Sequence, residues 1–447
     1  MTGRSRFDWL VVGSQFAATI GAYLASQDGA HVAMVDSKRS VCSSMRGKRW
    51  GGFQLDFGCQ MFSSYGTGVD DPVFEILDGD VVWLDRHLAS VTAGRKSEGY
   101  EFPDLTAYGP EMCGQILGEL VEAAAHEADT PHSMADAVQQ RYGATAARLI
   151  SEIVETTFGL DTDDLAPDAY HMLPFARLVL LSDAAARILK KVEVLDERIA
   201  ARNIVSSRTA AQGPVYYPAK GGMAAFCDHA GQKLHDRNVT MLLGRDIIQI
   251  EAGASATRLT LGDGTVLEAD RLLWASDPDR LAEMLGFPAE IADQIQPIPL
   301  VAFYFDIGDA QAGTYTYLQS YDGNDLLFRG SVPGSYGTGT CPPGRTYACG
   351  EVITETESDI WQNPSAYAVK VWQEMQDHGI VTGPEPCDTH IISAPVSYSF
   401  PKTGYASAFA RLQNHLDDHP HIRLVGRSRN GRHETVSTVR QIVMQNG

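Results

Sequence analysis

The stretch that most constrains this chain is its opening, Asp8 to Asp36, DWLVVGSQFAATIGAYLASQDGAHVAMVD. Trp9 to Val12 is an apolar run that predicts a buried strand ending at Gly13. Phe16 to Gln27 has a helical pattern, Asp28-Gly29 is a turn, and His31 to Val35 is a second strand that ends on Asp36. Strand, glycine turn, helix, strand and acid is the order of a βαβ dinucleotide-binding unit. Such a unit sets a pyrophosphate at the helix start, where unpaired N–H groups and the dipole favour negative charge. The terminal acid accepts from a ribose hydroxyl. The glycine spacing G-x-G-x-x-G/A is met here by Gly13, Gln15 and Ala18. Ala18 is an accepted variant. Gln15 stands where a glycine lets the backbone approach the phosphates, so a buried βαβ unit without ligand is the alternative reading.

The chain has 447 residues, room for two or three domains. Its 44% hydrophobic and 21% charged residues are an ordinary globular balance. A formal net charge of −20 speaks against nucleic acid or an anionic membrane as the main partner. No apolar run approaches the roughly 18 residues of a membrane span. No signal peptide precedes the first strand, and seven cysteines without a C-x-x-C pair favour reduced thiols in a cytoplasmic protein. No metal-ligand spacing is present; Asp417 to His421 (DDHPH) reads as a loop before a strand.

Further along, alternation around Phe53 and Leu55, Val81 to Leu84 and Val91-Thr92 predicts short strands. Glu111 to Gln140, Ala144 to Phe158 and Tyr170 to Val192 are helical in pattern, with a helix N-cap expected near Thr162 to Asp164. A helix is expected from Gly221-Gly222-Met223 to about His235, then strands at 239–243, 246–251 and 258–261, with a hairpin turn at Asp263-Gly264. Strand-like alternation returns at 300–305, 314–318, 326–328 and 346–351, followed by an amphipathic helix at 365–378. A strand at 422–426, a polar loop and a closing helix from about Thr435 finish the chain. The α/β texture of the opening recurs at 213–280 and 420–447. This order implies a discontinuous nucleotide domain (1–95, 213–298 and 395–447), a mainly helical insertion (96–212) and a substrate-binding segment (299–394).

Five segments, in order, resemble one family. VVGSQFAA with MVDSKRS, GGFQLDFGCQMF, YYPAKGGMAAFCDHAGQKL, GRDIIQI with DGTVLEADRLLWASDP, and RLVGRSRNGRHETVSTVRQI are similar to motifs of the FAD-dependent amine oxidase superfamily. The likeness is to the branch of protoporphyrinogen oxidase-like enzymes and UDP-galactopyranose mutase, and it spans nearly the whole chain. It implies an α/β fold: a Rossmann-like FAD-binding domain of the GR2 type with an inserted α+β substrate domain and a helical subdomain. It also implies FAD lying extended. Gly13, Gln15, Phe16 and Ala17 would meet the pyrophosphate, and Asp36 with Ser37 the adenosine ribose. Ser44 and Met45 would lie along the cofactor, and Ile247 would hold the adenine by its backbone. Gly426 and Arg427 would sit at the ribityl phosphate and flavin edge. The helix start near Thr435, Val436 and Thr438 would face the flavin pyrimidine, its dipole stabilising negative charge. The chain departs from the family where a Gly-Gly pair is replaced by Ser43-Ser44, and where a histidine is replaced by Gln60, which cannot act as an acid–base group.

Arg177 in LPFAR and Arg329 in LLFRG resemble the two substrate-site arginines of the mutase, where a guanidinium fork suits phosphate or carboxylate. A salt bridge or a packed stem is the alternative for each. Gln60 and Tyr217 are further pocket candidates. His433 and Glu434 read either as a proton relay or as a solvated loop, and His171 as a packing residue. No catalytic residue is singled out, and the resemblance requires no dedicated base. The leading reading is a flavoenzyme that takes a hydride from a small substrate. A non-redox flavin mutase acting on a nucleotide sugar is the second reading. A cofactor-free relative that acts as a binding protein is the third. The sequence leaves the oligomeric state open.

Overall fold

The computed structural model describes residues 5–63, 71–126, 129–202, 215–253, 255–287, 289–425 and 432–444. Leu10, Val11 and Ala33 to Val35 are wholly buried, as parallel strands covered on both faces require. They belong to a seven-stranded sheet in the order Thr240–Leu243, Val32–Asp36, Ser5–Val12, Val266–Trp274, Thr257–Leu261, Ile247–Ala252, with Ile422–Leu424 also pairing beside Val266–Trp274. The first four strands and Ile422–Leu424 run parallel. The hairpin expected at Asp263-Gly264 is present, with Gly264 at φ +83°. Its second strand continues unbroken to Trp274. The helix Phe16–Ala25 lies almost wholly buried between this sheet and the closing helix, Arg432–Met444. Gly21 lets them approach: a Cβ there would lie 2.4 Å from a Leu273 methyl and 3.5 Å from Val439.

A second sheet of seven strands is mostly antiparallel. Its order is Asp388–Pro401, Ile295–Gly308, Arg345–Ile353, Arg329–Ser331, Tyr317–Ser320, Leu88–Thr92, Arg95–Glu98. Val301, Phe303, Phe305, Trp372 and Met375 fill the core between it and the amphipathic helix Ala368–Asp377. The helices Pro110–Ala124, Met134–Tyr142 and Ala144–Phe158 pack around a third core. The resulting α/β architecture, a parallel nucleotide-type sheet with a mixed-sheet layer and a helical unit, is the one expected.

Several local expectations need correcting. Glu111 to Gln140 is two helices, Pro110–Ala124 and Met134–Tyr142. Tyr170 to Val192 is not one helix. A short 3-10 turn (Ala169–His171) and the helix Asp183–Leu189 flank irregular chain that bridges to Asp104 and Ile199. Pro174 excludes a helix interior, and Leu173, Phe175, Leu178 and Leu180 are apolar because that irregular chain is buried. Thr162 to Asp164 is a turn, not a cap, and the Thr162 carbonyl accepts from Ala135 N at 3.1 Å. Residues 326–328 precede a strand that starts at Arg329. The closing helix begins at Arg432, one turn before Thr435. The expected boundaries at 95/96, 298/299 and 394/395 each fall inside a strand of the second sheet.

Candidate functional site: a nucleotide mouth and a buried polar seam

Gly13 follows the opening strand with φ +114°, and a Cβ would lie 2.6 Å from the Ala275 carbonyl oxygen. Only glycine fits this turn. The helix behind it starts at Phe16 with no side-chain cap and no acid in its first turn. Its first-turn N–H groups therefore form a donor set suited to an anion. Phe16 is buried beneath this mouth and Ala17 is half-buried.

The Gln15 side chain crosses to the next loop. Its Oε1 accepts from Ser44 Oγ at 2.5 Å and from Ser44 N at 3.4 Å, and its Nε2 donates to Ser43 Oγ at 3.4 Å. The two places where glycines are replaced thus touch each other, as one hydrogen-bonded clasp. Ser14 Oγ beside them is buried, with no hydrogen-bond partner among the described residues. Gly13 N donates to the Val35 carbonyl at 2.9 Å, which brings the mouth beside Asp36. The Asp36 carboxylate accepts from Lys38 N at 2.9 Å and from the exposed Ser37 hydroxyl at 3.3 Å. Met45 packs in the core under this loop. The Ile247 carbonyl accepts from Arg280 Nη2 at 2.8 Å. The glycine turn, the uncapped helix start and Asp36 fit a dinucleotide. Gln15 replaces backbone with side chain at the point of closest approach.

A second set of polar groups lies between the two sheets. Asp56 follows the strand Phe53–Leu55 and is wholly buried. It accepts from Tyr217 Oη and, at 3.2 Å, from Met223 N near the start of the helix Gly222–Asp236. Its own backbone is held by Tyr304, which donates to its carbonyl at 2.8 Å, and by Tyr347, which accepts from its N–H at 3.1 Å. Burial pushes the Asp56 carboxyl up to about 7, against the pull of these donors and of Arg432. Cys59, three residues on, is pushed up to about 12 by burial, and its Sγ lies 3.2 Å from Tyr336 Oη.

Arg329 donates to Glu351 through Nε at 2.7 Å and Nη2 at 2.5 Å. Burial opposes its charge, but the carboxylate outweighs burial and holds the guanidinium above its ordinary range. Glu351 Oε1 also accepts from Cys59 N at 3.3 Å. Gln60 donates to the Phe57 carbonyl at 2.9 Å and accepts from Arg432 Nη2 at 2.9 Å. Arg432 also donates to the Met61 carbonyl at 3.2 Å, and desolvation lowers its pKa. The structure therefore brings Gln60, Tyr217 and Arg329 to one seam.

Arg177 lies apart, in the helical insertion, where its Nε donates to the Asp196 carbonyl at 2.9 Å. Thr435 and Thr438 line a groove against Phe409 and Gln413 of the helix Tyr405–Leu416, while Val436 packs on the core around the first helix. Gly426 and Arg427 lie outside the described residues. Asp56, Glu351 and Arg432 belong to the seam although sequence reasoning did not single them out. Asp56 had a signal, an acid ending an alternating apolar run. Glu351 had a weaker one, an acid inside a strand. Arg432 sits in a polar loop sequence and had none.

A parallel sheet under a mixed-sheet layer, with a polar seam between them, is an arrangement found in solved structures. It is the fold of UDP-galactopyranose mutase: a structure of the reduced mutase matches at TM-score 0.71 and 16% identity, covering 98% of this chain and 93% of that one. Cyclohexylamine oxidase from Brevibacterium oxydans IH-35A matches at TM-score 0.63 and 15% identity, covering 98% of each chain. Putrescine oxidase bound to putrescine matches at TM-score 0.62 and 13% identity, covering 99% of each. No protein-family model matches the sequence, and neither does any curated protein sequence.

Proposed function

We propose that the chain is an FAD-dependent oxidoreductase that removes a hydride from a C–N or C–C bond of a small amine or sugar-derived biosynthetic substrate. The observation that carries this reading is the uncapped, acid-free start of the helix Phe16–Ala25 behind Gly13, in a fold shared with two amine oxidases. FAD, when bound, supplies the hydride-accepting chemistry. The chain's own groups do the rest. First-turn amides of Phe16 and Ala17 hold the diphosphate, and Asp36 accepts from the ribose. Gln60, fixed by Phe57 and Arg432, orients without exchanging protons. The Arg432 guanidinium, at the start of the closing helix, stabilises negative charge developing nearby. Tyr217, Tyr304, Tyr336 and Tyr347, all buried, exclude water from the seam.

The likeness to UDP-galactopyranose mutase supports a second reading, a non-redox flavin mutase acting on a nucleotide sugar. Against it, Arg329 is engaged twice by Glu351 and Arg177 lies in the helical insertion, bonded to Asp196. The two readings separate on whether substrate bleaches bound flavin or activity requires reduced flavin. A third reading, a cofactor-free binding protein, draws on the Gln15–Ser44 clasp and on Arg280 at the Ile247 carbonyl.

The purified protein is expected to show oxidised-flavin bands in its visible spectrum, or to acquire them when FAD is added. A colourless protein that takes up no FAD defeats both enzyme readings. Gln15→Gly is expected to leave FAD affinity unchanged or to tighten it, measured by quenching of flavin fluorescence. Clear loss of flavin from that variant would mean that the glutamine itself contacts the cofactor.

A further inference from the structure

Away from the nucleotide mouth, toward the starts of the strands, the parallel sheet carries a second concave site. Trp9 and Arg271 are register partners on adjacent strands. His421, whose carbonyl accepts from Leu272 N at 2.8 Å, lies on the other side of Arg271's strand. A pocket of about 260 Å³ opens there, lined by Trp9, Ser255, Asp270, Arg271, His421 and Arg423. It is smaller than the roughly 300–1,000 Å³ of drug-sized ligand clefts, and suits a small ion or the end of a metabolite.

The charge pattern of this pocket runs against that of the chain, which carries −20 overall. Arg271 and Arg423 are both half-buried. Among the described residues neither has a carboxylate within ion-pair distance. The guanidinium of Arg271 lies over the Trp9 ring, 5.3 Å from its centroid, and Arg423 makes one long contact to the Ile422 carbonyl at 3.5 Å. The nearby acids are engaged elsewhere: Asp270 pairs with Arg6 at 2.7 Å, and Asp8 accepts from His31 N at 2.7 Å. His421 Nε2 is buried with no hydrogen-bond partner among the described residues. Two arginines without acid partners and an unsatisfied imidazole nitrogen therefore converge on one small cavity. Desolvating unpaired guanidinium groups is unfavourable unless an anion completes the site.

We propose that this pocket binds a phosphate group, either inorganic phosphate or the phosphomonoester end of a small metabolite. Two guanidinium forks and an imidazole offer more donors, in more directions, than a planar carboxylate can use, whereas a tetrahedral oxyanion has acceptors for all three. The pocket is distinct from the mouth at Gly13, which follows four residues after Trp9 on the opening strand, while Arg423 also borders the groove of Thr435 and Thr438.

The test uses the full chain at pH 7 and constant ionic strength. Thermal unfolding is followed while chloride is exchanged for phosphate and, in a second arm, for glycerol 3-phosphate. A saturable rise in Tm with either phosphate compound is expected. Arg271→Gln and Arg423→Gln should each weaken the apparent affinity about tenfold or more, the usual worth of a charge-assisted hydrogen bond. Arg148→Gln, which alters an exposed helical pair with Glu152, should leave the affinity unchanged. Tighter binding of glycerol 3-phosphate assigns the site to a metabolite, and tighter binding of phosphate assigns it to the free ion. Phosphorus NMR line broadening on the unmodified protein gives the same answer should a variant fail to fold. Absence of saturable binding overturns the proposal. So does binding that survives both arginine variants, since it would then belong to the helix start at Phe16.

Discussion

Replacing Glu351 with glutamine is expected to lower the unfolding free energy by about 3–5 kcal/mol, the usual loss when one partner of a buried ion pair is removed. The side chains of Glu351 and Arg329 are only 3% and 19% exposed, so water cannot replace the lost carboxylate. The variant strands a desolvated guanidinium and weakens the bond that Cys59 N makes to the same oxygen. The site is also crowded, since a Cβ on Gly58 would lie 2.6 Å from Glu351 Oε1. Against a typical stability of about 5–15 kcal/mol, such a loss is large. Urea unfolding measures it. The double variant Arg329→Met/Glu351→Leu should recover much of the loss, because apolar replacement of a whole buried pair is often neutral. A single variant within about 0.5 kcal/mol of the parent, the range of ordinary surface changes, would show that the pair is effectively solvated.

Asp56 gives the second large effect, and it is read through pH. The ordinary carboxyl value is 3.8, and in the folded protein it rises to about 7. Between these values the folded state holds a proton that the unfolded state has released. The unfolded state binds fewer protons, so stability falls as pH rises through this window. The stabilisation is fully present below about pH 4 and is lost as pH passes 7. At about 1.4 kcal/mol per unit the total is on the order of 4 kcal/mol. Asp56→Asn carries no such proton and can still accept from Met223 N. The difference in urea stability between parent and variant should therefore change steadily from pH 4.5 to 7.5. The repulsion among the other charges is common to both proteins and cancels in that difference. Parallel pH profiles would mean that Asp56 ionises as freely as it does in water.

The opening βαβ unit and the hairpin at Asp263-Gly264 were legible because their signals are local: apolar runs of the right length, a glycine turn, an acid at a strand end. The helix from Gly222 was legible for the same reason. What escaped is non-local. Glu351 and Arg329 are 22 residues apart and meet only because adjacent antiparallel strands put them in register. Asp56 and Tyr217 are 161 residues apart, and no spacing rule links them. The clasp between Gln15 and Ser44 was visible only as two separate departures from a glycine pattern. The run from Tyr170 to Val192 misled because burial, not helix formation, makes it apolar.

The strands Ile295–Gly308 and Asp388–Pro401 pair along nearly their whole length, from Ile295 opposite Pro401 to Asp306 opposite Asp388. At one end Ile295 packs on the core of the nucleotide sheet, and further along Val301 and Phe303 belong to the core of the second sheet. Mechanically this is a stiff ribbon joining the two layers. A rigid-body swing of one layer away from the other would have to bend it. The pairing shifts register between Ile298 and Leu300, and a bulge is where a paired strand bends most easily. Rocking of the layers is therefore expected to concentrate at Pro299, and the paired strands resist wholesale opening of the seam.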